Sequence, residues 1–410
     1  ILKLIDYTGG VSNPVTYNYT NNSGNTMVTR SDGFTKSVSK KEETDADNKT
    51  HTTTTTTGYT YKDLKGATKT KSTSLVTKID EDNHVSSELN MYDKDKFIYS
   101  ADSNKRAVTE RIYSTAKNEY ILNMSQIIHD NLSVTRYVRG GEADENDDFM
   151  ENSIDYTYNL AGNITQIKEN NELVHVYSYN PHGKITEETD IKNRRTYMYE
   201  YDTVGNVTKK TTYILNKVGE LKKVEEFEYN NNQWSGQLTA YKEEQNKYEI
   251  TYDKVGNPVQ FIDGQVLSWN RGRLLEGISY ENESGVTYRY NESGHRTYKS
   301  VTNSDNIEGV ATIYEWDGNR LIKERNTNYT TNKTYDIWYL YDDRDNVIGY
   351  DYVYIDTNNT IKSSRAYYEK DIQGSVIGLW NDKGYKFASY SYDTWGNLIQ
   401  STCVSKWNDL

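Results

Sequence analysis

The sequence has few of the residues that cross-link, kink or fill the interior of a protein. Its 410 residues include one cysteine and three prolines, and only 34% of them are hydrophobic. A single cysteine, Cys403, excludes an internal disulfide and fits both a cytosolic protein and a bacterial exported one. The scarcity of proline leaves strands uninterrupted. The low hydrophobic content argues against one thick apolar core.

Two further absences narrow the class of protein. No apolar run approaches the ~18 residues of a membrane-spanning helix, and no signal peptide opens the chain.

The formal net charge is −12, which disfavours a nucleic-acid partner because phosphates require a basic surface. The first residue is Ile1 rather than methionine, so we expect a fragment of a longer protein.

Tyrosine is the residue that the chain has in excess, with 39 copies. Disordered chains are poor in aromatic residues, so this composition indicates a folded protein. Aromatic residues recur at every second position, as in Tyr197, Tyr199 and Tyr201, which is the spacing of a β-strand. Helical spacing is almost absent. The sequence therefore predicts an all-β protein.

One phrase, Tyr-x-Tyr-Asp-x-x-Gly-Asn, is repeated along the chain. It reads YEYDTVGNV at 199–207 and YSYDTWGNL at 390–398. Its second aromatic position recurs in steps of 17 to 28 residues, through Tyr158, Tyr179, Tyr201, Tyr229, Tyr252, Trp269, Tyr290, Trp316, Tyr341, Tyr368 and Tyr392. Two strands of about eight residues and two short turns need that length. Each unit is thus predicted to be one antiparallel β-hairpin.

The end of each phrase has the chemistry of a tight turn. An Asp or Asn at the first turn position can accept the backbone N–H two residues further on. A Gly at the fourth position suits a type I turn followed by a left-handed residue, which is a hairpin loop with a bulge. The predicted turn residues are Asp202, Gly205, Asp253, Gly256, Gly294, Asp371, Gly374, Asp393 and Gly396, together with Gly162 and Gly183.

The first part of the chain, residues 1–150, has a weaker pattern. It contains six consecutive threonines at 52–57 and the acidic stretch 144–148. Threonine favours strands, so the threonine run is predicted to be a strand rather than a linker. This part consists either of degenerate repeats, one of them ending at Gly66, or of a separate β segment.

The sequence carries no recognisable catalytic motif. Gly-x-Ser-x-Gly, His-Glu-x-x-His and paired cysteines are absent, and the six histidines are scattered at His51, His84, His129, His175, His182 and His295. The acidic stretches 80–83, 144–148 and 342–345 could attract Ca²⁺, but none has the spaced ligands and glycine of an EF-hand loop. We interpret them as solvated loops. No enzyme activity, cofactor or metal is expected.

The repeated phrase resembles that of the Rhs or YD-repeat family. The segment from Tyr368 through Asp371 and Gly374 to Asn397 is similar to the start of the family's associated core. The resemblance is strong over 156–400 and weak over 1–155. It divides the chain into 1–150, a repeat array at 151–366, and the start of the associated core at 367–410.

The resemblance implies a fold and a role. Hairpins of the family join into a long strip that spirals into a hollow shell, and the shell encloses a toxic C-terminal domain. Some members cut off this cargo through an aspartate-containing motif downstream of the core, for which no residues are present here. The implied function is a non-enzymatic shell segment of a secreted or cell-surface protein, whose partner is a toxin cargo or a delivery component.

A second hypothesis is a cell-surface adhesion or carbohydrate-binding module, since interleaved tyrosines can stack on sugars. Under either hypothesis we expect a curled strip with most tyrosines on one face. We also expect no second packed layer inside the curl, because leucine, isoleucine and valine are scarce. The alternative to sugar binding is that the aromatic residues form packing pairs across neighbouring strands.

Overall fold

Antiparallel strands account for nearly all of the regular structure. A computed structural model of the protein describes residues 2–6, 15–22, 25–30, 34–47, 49–81, 85–92, 94–102, 106–129, 133–143, 149–214, 220–305 and 307–404. Strands hold 67% of the residues and helix 1%. The predicted all-β class, an array of antiparallel hairpins, is therefore confirmed.

The strands form two sheets. The first contains β1 (Leu2–Asp6), β2 (Val15–Asn22), β3 (Asn25–Arg30), β4 (Thr35–Thr44), β5 (His51–Lys62), β6 (Thr68–Ile79), β7 (Val85–Met91), β8 (Asp95–Asp102), β9 (Ala107–Ser114), β10 (Glu119–His129), β11 (Ser133–Ala143), β12 (Phe149–Tyr158), β13 (Ile164–Glu169), β14 (Glu172–Tyr179), β15 (Ile185–Asp190), β16 (Arg195–Tyr201), β17 (Val207–Ile214), β18 (Leu221–Glu228), β19 (Ala240–Glu243) and β20 (Asn246–Glu249).

The second sheet contains β21 (Thr251–Tyr252), β22 (Pro258–Gln260), β23 (Val266–Asn270), β24 (Leu274–Ser279), β25 (Gly285–Tyr290), β26 (Arg296–Thr302), β27 (Glu308–Asp317), β28 (Arg320–Asn328), β29 (Lys333–Tyr341), β30 (Val347–Ile355), β31 (Ile361–Lys370), β32 (Val376–Asn381), β33 (Lys386–Tyr392) and β34 (Leu398–Cys403). A 3₁₀ turn lies at Ile262–Gly264.

Within each sheet, every strand pairs antiparallel with the strands before and after it in the sequence. The strip changes sheet at one residue, Ile250, between β20 and β21. The Ile250 side chain is buried, and its N–H donates to the Thr239 carbonyl at 2.9 Å. The threonine run 52–57 lies within β5. The chain is thus one meander that is divided into two sheets.

The repeated phrase forms the same turn wherever it occurs. At Asp202, the carboxylate Oδ1 accepts the N–H groups of Val204 at 3.0 Å and Asn206 at 2.8 Å. Gly205 has a φ of 95°, a conformation that glycine adopts without a steric penalty. The N–H of Asp202 also donates to the main-chain carbonyl four residues later, that of Asn206. Turns with the same main-chain bond begin at Asp63, Asn159, Asn180, Asp253, Asn291, Asn303, Asp342, Asp356, Asp371, Asn381 and Asp393.

The aromatic residue before the turn has its own partner. The Tyr201 hydroxyl donates to the Ile185 carbonyl at 2.6 Å. Ile185 lies two residues beyond Glu187, the last paired residue at that end of the β15–β16 ladder. The tyrosine therefore supplies a donor where the ladder has ended. We call this bond the aromatic clamp.

The clamp recurs in both sheets. It joins Tyr179 to Ile164, Tyr201 to Ile185, Tyr252 to Leu238, Trp269 to Pro258, Tyr290 to Leu275, Trp316 to Arg296, Tyr341 to Leu321 and Tyr392 to Val376, at 2.5–2.9 Å. Two of the donors are indole N–H groups. Each clamp ties one hairpin to the preceding one.

The structure differs from the sequence-based tracing at Tyr368. The residue directly before the turn at Asp371 is Lys370, whose Nζ donates to the Val347 carbonyl at 2.5 Å. An ammonium group thus occupies the clamp position there. Tyr368 instead packs against Tyr350, with ring centroids 5.8 Å apart.

The two sheets pack face to face through an apolar core. Trp338 and Tyr367 of the second sheet are fully buried beside Phe97 and Ile112 of the first. The cluster contains Phe34, Tyr59, Leu89, Met91, Tyr92, Phe97, Ile112, Ile121, Leu122, Met124, Val138, Ile322, Trp338, Leu340, Ile348, Tyr367 and Trp380. The expectation that no second layer packs inside the curl is therefore wrong, because the apolar residues are concentrated on these two faces.

A buried charge network crosses the same interface. The Arg365 guanidinium donates to both carboxylate oxygens of Asp351 at 2.6 and 2.9 Å, and to Asp95 at 3.2 Å. Lys71 of the first sheet lies 3.0 Å from Asp351. The Tyr367 hydroxyl donates to Asp95 at 2.5 Å. These bonds fix which strands of the two sheets face each other.

Removing a clamp hydroxyl should destabilise the fold. We expect Tyr201→Phe to lower the free energy of unfolding by about 1 kcal/mol, because the Ile185 carbonyl loses its donor. Tyr201→Trp should lose less, since the chain itself uses tryptophan at this position. Urea unfolding measures both changes. The control is Tyr280→Phe, because Tyr280 is 36% exposed and lies outside the clamp series. An equal decrease in the free energy of unfolding in this control would contradict the stabilising role of the clamp.

The charge network should make stability depend on pH. Burial would raise the pKa of Asp351, but Lys71 and Arg365 outweigh burial and hold it well below its usual value. A depressed carboxylate pKa adds stability above the unfolded-state pKa of about 4, and this contribution is lost as pH falls towards the folded-state pKa. We therefore expect the free energy of unfolding to decrease between about pH 5 and pH 2.

The variant Asp351→Asn tests the origin of this loss. It leaves the partly buried Lys71 and the buried Arg365 without the Asp351 carboxylate, while Arg365 keeps its bond to Asp95, so we expect a cost of about 3 kcal/mol at neutral pH. The variant should also lose less stability than the wild type on acidification. Glu43→Gln is the matched control, since Glu43 forms an ion pair with Lys41 on the exposed surface and such pairs contribute little. Parallel pH profiles for the wild type and Asp351→Asn would contradict the assignment.

Candidate functional site

A cleft lies between the two sheets beyond one end of their shared core. Strands β12 to β15 form one wall, and the turns at 371–375 and 391–396 form the other. The cleft encloses about 620 Å³, which is within the usual range for ligand pockets. It is lined by Ile154, Tyr156, Tyr158, Gly162, Asn163, Ile164, Ile167, Glu169, His175, Tyr177, Tyr179, Ile185, Asp371, Ile372, Gln373, Ser375, Ile377, Tyr390, Ser391, Tyr392, Asp393, Thr394 and Gly396. We call it the tyrosine cleft.

Strand alternation places the rings on the cleft walls. Residues two apart in a strand project from the same face, so each Tyr-x-Tyr phrase contributes a pair of rings. The pairs are Tyr156 with Tyr158, Tyr177 with Tyr179, and Tyr390 with Tyr392. Tyr179 and Tyr392 are clamp donors. The interaction that joins the hairpins therefore also orients part of the cleft lining.

The turn at Asp371 closes one side of the cleft. Its Oδ1 accepts the N–H groups of Gln373 at 2.9 Å and Ser375 at 2.8 Å. The Tyr156 hydroxyl of β12 accepts the N–H of Ile372 at 3.3 Å. These bonds hold the carboxylate and the opposing tyrosine in a fixed position.

The turn at Asp393 meets the first sheet at a second point. Lys210 lies 2.7 Å from Asp393 and forms an ion pair with it. The Thr394 hydroxyl and N–H both donate to Oε2 of Glu188, a fully buried residue of β15. The other oxygen, Oε1, is 3.6 Å from His175 Nδ1. Within the described part of the chain, neither of these two atoms has a hydrogen-bond partner.

The environment of the cleft disfavours ionisation of Tyr177. Burial raises the pKa of Tyr177 well above its usual value, and the neighbouring groups Glu188, Tyr179, Asp190 and Asp371 raise it further. Tyr177 therefore stays protonated throughout the physiological range.

The predicted turn residues are distributed between the cleft and the rim of the strip. Gly162, Asp371, Asp393 and Gly396 line the cleft. The other predicted turn residues lie outside it, with positive φ at each glycine: Gly183 75°, Gly205 95°, Gly256 86°, Gly294 81° and Gly374 92°. Sequence reasoning missed Glu188, which lies outside the repeated phrase, and Thr394, which occupies one of its variable positions.

The remaining candidate residues do not converge. Among the described residues, no group of three or more His, Cys, Asp or Glu side chains could hold a metal ion. Asp342 opens a repeat turn and is 2.9 Å from the Asn346 amide. The stretch 144–148 and His84 lie outside the described residues. Cys403 is exposed. The part of the chain described here contains no helix long and apolar enough to cross a membrane.

Comparisons with known proteins give partial matches. No protein-family model matches the sequence. The chain is 30% identical over 219 residues to the tRNA3(Ser)-specific nuclease WapA of Bacillus spizizenii, and 29% identical over 219 residues to the tRNA nuclease WapA of Bacillus subtilis. These matches cover 52% of this chain but only 8% of each WapA protein.

A solved structure matches nearly the whole fold. The Tc holotoxin pore of Photorhabdus luminescens matches 95% of this chain and 23% of its own chain, with 12% identity and a TM-score of 0.53. This likeness shows the fold of the chain. The described hairpin strip is thus an architecture that is also present in a toxin complex.

Proposed function

We propose that this chain is a wall segment of an exported toxin protein of the Rhs type, which encloses or presents a C-terminal toxic domain outside this chain. The observation that carries the proposal is one continuous hairpin strip whose two sheets pack face to face. The fold match to a toxin complex and the sequence likeness to WapA toxins support it. The segment acts as a scaffold in a secreted or cell-surface protein.

The two faces of the second sheet have different roles in the proposed wall. Trp338 and Leu340 point into the shared core, so the intervening Tyr339 lies on the opposite face. Tyr339 is paired across strands with Tyr350 and lies in the same strand as Tyr335, whose ring centroid is 5.0 Å from that of Tyr352. Such a half-buried tyrosine surface can contact both water and polypeptide. In the proposed wall, the face with Trp338 packs against the first sheet, and the opposite face with Tyr339 contacts the enclosed polypeptide.

The chain performs no catalysis in this proposal. This chain matches only 8% of each WapA protein, and our proposal assigns the nuclease activity named for those proteins to the part outside the match. The Glu188 carboxylate, 3.6 Å from His175 Nδ1, is fully buried and accepts hydrogen bonds from Thr394. This arrangement supports a structural role for the pair.

Protease protection in the intact parent protein tests the wall function. We expect the segment that follows residue 410 to resist digestion in the wild type. It should be digested faster in Asp351→Asn, because loss of the inter-sheet network opens the wall. Glu43→Gln should behave like the wild type. Equal digestion rates in the wild type and Asp351→Asn would overturn the proposal.

The absence of catalysis is tested separately. The purified chain should leave tRNA uncleaved, and the substitution of any one histidine by alanine should leave the protection assay unchanged. Cleavage of tRNA that a single His→Ala change abolishes would establish an enzyme instead.

A further inference from the structure

The tyrosine cleft combines aromatic rings with carboxylates. Its described lining residues include six tyrosines and the carboxylates Glu169, Asp371 and Asp393, but no lysine or arginine. Glu169 and Asp393 have cationic partners outside the lining, Lys192 and Lys210. Among the described contacts, the Asp371 carboxylate accepts hydrogen bonds from its own turn, and the Asp371 backbone carbonyl accepts one from Arg136 of the first sheet at 2.7 Å. Among the described lining residues, carboxylates thus outnumber lysine and arginine beside the ring faces.

At other carboxylates beside aromatic rings, one of them Asp393 at the edge of the cleft, the chain supplies its own cation. Lys71 Nζ lies 4.7 Å from the Tyr92 ring centroid and 3.0 Å from Asp351. Lys210 Nζ lies 5.0 Å from the Tyr197 ring centroid and 2.7 Å from Asp393. A cation over an aromatic ring is attracted by the ring quadrupole, and a neighbouring carboxylate adds to the attraction.

A second observation at the cleft wall points the same way. Glu188 is fully buried, and its Oε1 has no hydrogen-bond partner within the described residues. Its neighbour at 3.6 Å is His175, which lines the cleft. A buried carboxylate oxygen without a donor is costly, and a positive charge in the adjacent cleft reduces that cost.

We propose that the tyrosine cleft binds a primary ammonium or guanidinium group. The cation can come from a lysine or arginine side chain of an extended polypeptide or from a free polyamine. The first source rests on the proposed function, because an enclosed polypeptide would present such side chains. Tyrosine rings contact the cation and its aliphatic stem, and Asp371 supplies the counter-charge.

Calorimetric titration of the 410-residue chain at about 150 mM NaCl tests the proposal, since this salt screens non-specific attraction to an acidic protein. The probes are spermidine, an unstructured Lys-Gly peptide, a matched Gln-Gly peptide and maltotriose. We expect the first two to bind and the last two to give no signal. Binding of spermidine alone would assign the site to free amines, and binding of the peptide alone would assign it to polypeptides.

Asp371→Asn provides a variant that keeps the turn. Asparagine already opens the same turn at Asn159, Asn180 and Asn291, so the substitution removes a charge and little else. We expect cation binding to weaken about tenfold. Asp253→Asn makes the same change in a turn outside the cleft and should leave binding unaltered.

Tyr390→Leu removes one ring of the lining and should also weaken binding. Failure of both cationic probes to bind, equal binding to the wild type and Asp371→Asn, or binding of maltotriose alone would overturn the proposal. These titrations use no cargo, so their failure would leave the protease-protection result of the parent protein intact, and the reverse also holds.

Discussion

The structure depends on a single hydrogen bond that recurs between neighbouring hairpins. Where a clamp forms, the ladder between two strands ends early and leaves a backbone carbonyl beyond the last paired residue, as at Ile185. The donor comes from the residue before the next turn: a tyrosine hydroxyl, an indole N–H at Trp269 and Trp316, or the ammonium of Lys370. Each of these side chains is long and carries a hydrogen-bond donor far from its own backbone. A shorter or apolar side chain would leave the carbonyl without this donor.

The clamp acts only between adjacent hairpins, so it builds a strip without fixing the path of that strip. Stacked repeats of this kind contact mainly their neighbours. The path is fixed by the contacts between sheets, among them the apolar core around Trp338 and the charges of Arg365, Asp351 and Asp95. Buried charges tolerate mispairing poorly, because each one left without its partner is strongly destabilising. The charge network therefore specifies one alignment of the two sheets.

The sequence predicts local features well because their partners are close in the chain. The turn at Asp202 is held by bonds to residues two and four positions away, and the alternation of Tyr197, Tyr199 and Tyr201 is enough to identify a strand. The alignment of the sheets could not be predicted, since the bond from Arg365 to Asp95 spans 270 residues and follows no period. The packed core was missed for a related reason: average composition does not reveal that apolar residues are concentrated on two faces.

The cleft shows the same limit on a smaller scale. Its tyrosine pairs follow from the repeated phrase, but Glu188 and Thr394 come from sheets that meet only in the folded protein. The clamp explains why aromatic residues with a donor recur before the turns. A strip held by clamps needs a hydrogen-bond donor at the position where a purely apolar sheet would carry leucine or isoleucine. Tyrosine supplies both this donor and a packing surface, and tyrosines outside the clamp series pack in the core, as Tyr367 does, or line the cleft, as Tyr177 does.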